Sequence, residues 1–154
     1  MNGDALFTIR NWIKGFPQCS ELTDLFVDYT EAAPNNGGLA PAGLTEVSRT
    51  TDIFGNITVK NQYNFTIYFV FAKAPDDSDT AENNARFIAY FQEWVQEQSA
   101  TRQAPTFGDE PAKEYISAQN GMLAEADSEG TAVYTIQLSA VFYKFYEVKN
   151  EWLQ

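Results

Sequence analysis

The longest regular pattern in the chain is an alternation of apolar and polar positions from Asn56 to Ala72. Ile57, Val59, Tyr63, Phe65, Ile67, Phe69 and Phe71 share one parity, and Thr58, Lys60, Gln62, Asn64 and Thr66 share the other. A period of two over this length predicts an antiparallel-type strand with one buried face. Tyr68 and Val70 make the second face apolar near the end, which predicts cover on both sides there. Thr131 to Val148 repeats the pattern, with Tyr134, Ile136, Leu138, Ala140, Phe142 and Tyr146 on one face and Thr135, Gln137 and Ser139 on the other. Leu44 to Thr51 reads as a further strand. The turn Asp52-Ile-Phe-Gly-Asn56 should join it to the long strand as a hairpin. Leu22 to Tyr29 reads as a strand with Leu25, Val27 and Tyr29 on one face. Tyr115 to Gln119 and Met122 to Ala126 read as two short strands joined by a turn at Asn120-Gly121. Ser128-Glu-Gly130 reads as another turn.

Two segments carry a helical period instead. Ala5 to Phe16 places Leu6, Ile9, Trp12, Ile13 and Phe16 on one arc, with Asp4 as its cap and Pro17 as its stop. Phe7 falls outside the arc, as an exposed apolar residue or a partner contact. Thr80 to Thr101 places Phe87, Ile88, Phe91, Trp94 and Val95 on one stripe, with Arg86, Glu93, Gln96 and Glu97 opposite. Asp79 and Glu82 have the spacing of a capping box. That helix should cover the sheet. Between the early strands, Glu31 to Gly43 is rich in Gly, Pro and Asn and reads as a long loop. Leu39 is its only large apolar residue, so we expect an arm for partner contact there. The elements predict an α+β fold: a mostly antiparallel or mixed sheet, an N-terminal helix and one long amphipathic helix packed on the sheet. Residues 1–154 are expected to form a single domain, with a flexible loop at 31–43.

Composition narrows the function. The chain has 154 residues and a formal net charge of −11. An acidic surface disfavours nucleic-acid backbones and anionic bilayers as partners. There is one cysteine, Cys19, and there are no histidines. A disulfide within the chain is therefore impossible, and Cys/His metal spacings have no residues to use. The commonest general base and the Ser-His or Cys-His nucleophile pairs are also missing. The N-terminus has no basic region or long apolar core, so no signal peptide is expected. No stretch has the apolar length of a membrane span.

The remaining searches yield little. Asp76, Asp77 and Asp79 lack the glycine and distal glutamate of a calcium loop, and fit a helix start better. Glu125, Asp127 and Glu129 fit a solvated strand edge that deters aggregation. Gly37-Gly38 is not followed by the Lys-Ser or Lys-Thr of a phosphate loop. The sequons at Asn56 and Asn64 fall within a strand and read as chance matches. We therefore expect no enzyme, no catalytic or metal-binding residues and no cofactor.

The order of segments carries a resemblance. A short helix, a Gly/Pro/Asn-rich loop and a hairpin lead into Tyr63-Asn-Phe-Thr-Ile-Tyr-Phe69. Asn83-Asn84, a helix ending Trp94-Val-Gln-Glu-Gln98 and a break at Ala104-Pro105 follow. Ser117-Ala-Gln-Asn-Gly121 then precedes Ala132-Val-Tyr-Thr-Ile-Gln-Leu138. From Leu6 to Tyr146 this resembles the minor capsid or tail-terminator family of tailed, siphovirus-type phages and prophages of Gram-positive bacteria. The resemblance implies a virion structural protein made in the bacterial cytoplasm. It implies a homo-oligomeric ring, typically of six, at the head-proximal end of the tail. Its partners would be copies of itself, the tail-tube protein and a head-completion protein. The ring would end tube polymerisation and provide the head docking surface, with no catalytic residues to carry over. The alternative is a small acidic binding or inhibitor module acting on a basic protein, which requires acids gathered on one face.

Overall fold

The computed structural model describes residues 3–18, 24–27, 36–72, 78–126 and 131–149. Helix α1 (Gly3–Ile13) precedes strands β1 (Asp24–Val27), β2 (Asn36–Thr51) and β3 (Ile57–Ala72). Helix α2 (Ser78–Ala100) follows, then a short 3-10 turn at Pro111–Lys113, and strands β4 (Tyr115–Ala126) and β5 (Thr131–Tyr146). The five strands form one sheet in the order β1-β2-β3-β5-β4. Four of them alternate in direction, and β1 runs parallel to β2 at the edge. The fold is α+β, as the periodicities predict.

β3 and β5 are the centre of the sheet. They pair without a register break from Ile57–Tyr146 to Ala72–Thr131. The odd-numbered parity of β3 faces the helices: Val59, Phe65, Ile67, Phe69 and Phe71 are buried. α2 lays its predicted stripe on them, with Phe87, Ile88, Phe91 and Val95 buried in the same core. Phe69 meets Phe87 and Phe91 edge-on, at ring centroid distances of 5.0 and 5.4 Å. Such pairs add about 0.5–1.5 kcal/mol each beyond the area they bury. α1 docks on α2 by the same chemistry. Trp12 stacks on Trp94 at 4.9 Å and donates its indole N–H to Gln98 at 3.1 Å. Phe16 inserts edge-on between Phe87 and Phe91.

Several boundaries differ from the sequence reading. α1 starts at Gly3, so Asp4 lies in its first turn, and it ends at Ile13. A turn over Lys14 and Gly15 then carries Phe16 into the core. α2 begins at Ser78, which places Asp79 inside the first turn instead of at the cap. The largest correction concerns the expected loop 31–43. Residues 31–35 lie outside the described residues, but Asn36 to Gly43 is the first half of β2. Gly37 and Gly38 sit opposite Phe69 and Tyr68 of β3. The glycines leave room that these large cross-strand neighbours fill, and pairing on both sides overrides weak strand propensity. Leu39, expected to contact a partner, is a core residue with 0 % exposure. The glycine signal is used at Gly43, where φ is +91° and the register shifts between Pro41 and Leu44.

Asn120-Gly121 also behaves differently from its prediction. β4 continues through it as one strand paired with β5, with a register shift between Gln119 and Met122. Asn120 takes a positive φ of 58°, so the pair forms a bulge and not a hairpin. A Cβ on Gly121 would lie 2.5 Å from Ile88 of α2. The bulge lets helix and strand approach closely, and Gln92 donates to the carbonyl of Ala118 beside it at 3.1 Å. Cys19, Asp76, Asp77, Asp127, Glu129, the Ser128–Gly130 turn and the residues after 149 lie outside the described residues.

Candidate functional site, an uncovered polar face of the sheet

Strand alternation that points Phe65, Ile67 and Phe69 into the core points their even-numbered neighbours the other way. Cross-strand register then assembles the second face across four strands. Thr58, Lys60, Gln62, Asn64, Thr66 and Tyr68 of β3 stand beside Phe145, Tyr143, Val141, Ser139, Gln137 and Thr135 of β5. Thr50, Ser48 and Thr45 of β2 extend this face on one side. Tyr115, Ser117, Gln119 and Met122 of β4 extend it on the other. Among the described residues no helix packs here. The cover predicted for both sides near Tyr68 and Val70 is reached at Val70, which is buried, while Tyr68 is half-buried.

The polar side chains on this face bond to one another. Gln62 donates to Asn64 at 2.7 Å and to Ser139 at 3.3 Å. Asn64 donates to Thr45 at 3.0 Å, and Thr66 donates to Gln137 at 3.3 Å. Amides and hydroxyls both donate and accept, so the face keeps hydrogen-bonding capacity for an outside surface. Its charge is unusual for a chain with 21 acidic residues. Across these positions Lys60 is the single charged residue. The nearest carboxylate positions in the same register are Asp24 of β1 and Glu125 of β4, both at the level of Val70. Other described acids lie on α1 (Asp4), on α2 (Asp79, Glu82, Glu93, Glu97), in the connection at Asp109, Glu110 and Glu114, on the hairpin (Glu46, Asp52) and at Glu147.

The edges of the sheet form the second part of the site. β1 covers β2 only from Asn36 to Leu39. From Leu44 to Thr51 the outer edge of β2 has no described neighbour. The outer edge of β4 has no neighbouring strand, but α2 covers its first half: Ser99 accepts the Ile116 N–H at 3.1 Å and Gln92 donates to the Ala118 carbonyl at 3.1 Å, so the uncovered part is Met122–Ala126. The end of β5 is treated differently. The Asp109 N–H donates to the carbonyl of Tyr143 at 2.7 Å, and the Asp109 carboxylate accepts from the Phe145 N–H at 2.8 Å. A strap thus replaces β4 beyond Tyr115. It is held by Glu114, only 9 % exposed, whose carboxylate accepts the N–H groups of Phe107, Gly108 and Glu110 at 2.8, 2.9 and 3.1 Å. Strands β2 and β4 both carry register shifts along their open edges. Bulges of this kind twist an edge and restrict what can pair with it.

The β2–β3 hairpin ends in a rigid apolar tip. The Asp52 carboxylate accepts the N–H groups of Phe54 and Asn56 at 2.8 and 2.9 Å, and Gly55 takes a φ of +88°. Ile53 and Phe54 are held outward, 93 % and 75 % exposed. Asn56 accepts the Val148 N–H at 3.0 Å, bringing exposed Val148 beside the tip. Phe7, the apolar residue outside the α1 arc, is also exposed.

A groove of about 640 Å³ runs between α2 and β4, lined by Gln92, Gln96, Ser99, Ile116 and Ala118 among others. Its carboxylates are Glu93 and Glu114. Glu114 is already committed to three backbone N–H groups, so a two-carboxylate mechanism has no pair there. No group of three His, Cys, Asp or Glu side chains among the described residues is arranged to hold a metal ion. Burial raises the Tyr63 hydroxyl above its ordinary pKa, with Tyr146 adding to the effect. Tyr63 is packed between Phe107 and Phe142 on the helix side of the sheet. No described helix is long and apolar enough to cross a membrane.

The composition of the open face was visible in sequence as one polar parity of one strand. Its freedom from carboxylates emerges only when register brings four strands together. No family model and no curated protein matches the chain.

Proposed function

We propose that this chain is a virion structural protein, a tail terminator that forms a ring at the head-proximal end of a siphovirus-type phage tail. In this reading it acts as a subunit, through surfaces the isolated chain leaves unpartnered. The observation that carries the assembly part is the pair of open strand edges, Leu44–Thr51 of β2 and Met122–Ala126 of β4 beyond the stretch that α2 covers, on opposite sides of one sheet. Unpaired N–H and C=O groups along a strand are a ready template for another chain. Two different edges on one subunit are what a head-to-tail ring needs, since each copy offers one edge and accepts at the other. The phage assignment rests on the order of segments and motifs from Leu6 to Tyr146. Self-association, contact with the tail-tube protein and contact with a head-completion protein all belong to this proposal, as does the absence of catalysis.

The acidic-inhibitor reading is less well supported. It requires carboxylates concentrated on one face, whereas the described acids are spread over α1, α2, strands β1 and β4, the 109–114 connection, the hairpin and Glu147.

The test is reconstitution with a tail-tube protein from the same genome. Tubes polymerised in its presence should stop at limited length and carry a ring at one end by negative-stain electron microscopy. A chain that stays monomeric and binds no tubes, leaving their length unchanged, overturns the proposal.

A further inference from the structure

We infer that the uncovered face is itself a protein–protein interface, and that its occupant is the same face of a second copy of this chain. This pairing rests on the composition of the face and not on the phage-tail reading, because the strand edges and the hairpin tip remain free for other contacts.

Three observations lead to it. First, the face has the composition of an interface core, in which aromatic residues and Met are enriched and charged residues depleted. Tyr68, Tyr115, Tyr143, Phe145 and Met122 surround a centre of Gln62, Asn64, Thr66, Gln137 and Ser139. Tyr115, Met122 and Phe145 are exposed large apolar residues. Second, electrostatics selects the partner. Two copies each carry a charge of −11 and repel across most orientations. Face to face, the strand positions between the levels of Thr58 and Tyr68 oppose no carboxylates, and Asp109 on the strap at the rim is paired with Lys144 and the Phe145 N–H. Third, the surface can complement itself. Each Gln, Asn, Thr and Ser can both donate and accept, so across a two-fold axis through the centre these groups can pair with their counterparts on an identical surface.

The dimensions suit a weak, reversible pair. At about 3.3 Å per residue and about 4.8 Å between strands, the levels from Thr58 to Tyr68 on β2, β3 and β5, with those from Gln62 to Tyr68 on β4, span about 600–700 Å² on each copy. Two such faces bury about 1,200–1,400 Å², the lower part of the range for specific interfaces. Two sheets stacked this way align within about 30° of each other, with α1 and α2 on the outside of the pair. Bridging water would fill the polar centre.

The test measures mass against concentration by analytical ultracentrifugation. Wild-type chain should show a monomer–dimer equilibrium. The pair Asn64→Asp and Gln137→Glu adds two carboxylates to the face with little change of shape. It should raise the dissociation constant at least tenfold with an unchanged thermal melt. The pair Asn83→Asp and Gln96→Glu adds the same charge on α2 and should leave the constant within about twofold. A Lys pair, Asn64→Lys and Gln137→Lys, should also be monomeric alone, and mixing it with the acidic pair should restore association. Wild-type chain that stays a monomer at the highest attainable concentration overturns the inference. So does equal weakening by the α2 pair, an acidic pair that dimerises normally, or a mixture that fails to re-associate.

Discussion

The two faces of the sheet come from the same strands but obey different rules. On the helix side, Phe65, Ile67 and Phe69 form an apolar row sealed beneath Phe87 and Phe91. On the other side, Gln62, Asn64 and Thr66 alternate at the same residue spacing and meet only neighbouring strands. The first face stabilises the subunit through apolar burial. The second buries Val70 and Val141, while its other positions are half-buried or exposed and their composition is free to serve association. The difference teaches that a strand's polar parity carries information of its own, once register shows which residues it gathers and which charges it omits.

The comparison breaks most sharply at Phe69. Phe69→Ala removes a ring packed against Phe71, Phe87 and Phe91, and should cost about 3–5 kcal/mol in urea unfolding. If the strap over β5 supports the covered side, Gly108→Ala should be the next largest effect. A Cβ there would fall on the Tyr143 carbonyl oxygen, at 2.1 Å. We expect a loss of about 1–3 kcal/mol, read as a lower melting temperature. The Trp12–Gln98 hydrogen bond fixes α1 to α2. Gln98→Ala should cost about 0.5–1.5 kcal/mol, with earlier amide exchange in α1.

Tyr63 gives the comparison a pH signature. Burial holds its folded pKa above the unfolded value, so the folded state keeps a proton that the unfolded state loses first. That contribution is complete below about pH 10, the ordinary tyrosine value, and is lost as pH rises through the folded pKa. Denaturation midpoints should therefore fall above about pH 10, and Tyr63→Phe should flatten that decline. The smallest effect belongs to the open face. Thr66→Val removes the bond to Gln137 without touching the core, and should change stability by no more than about 0.5 kcal/mol.

Much of the fold was legible in the alternation and the helical stripe. β3, β5 and α2 each carry more than a dozen residues of consistent pattern, and local preference agrees with their final packing. The first half of β2 was not legible. Asn36, Gly37, Gly38, Pro41 and Gly43 signal a loop locally, and only pairing with β1 and β3 makes them a strand. Asn120-Gly121 misled for a related reason: a positive φ at Asn120 serves a bulge as well as a hairpin, and the choice depends on β5 and α2. The site was partly legible. The polar parity of β3 was plain, but the neighbours supplied by β2, β4 and β5 depend on register that no single segment encodes.

The central claim is that the open edges and face of this sheet are used in assembly. Hydrogen–deuterium exchange of the chain alone and bound to tail tubes tests it most directly. Unpaired edge amides exchange quickly until another strand or subunit covers them. The account predicts new protection along Leu44–Thr51 of β2 and Met122–Ala126 of β4, with little change on the outer surface of α2. Unchanged exchange at both edges, or protection confined to α2, would contradict it.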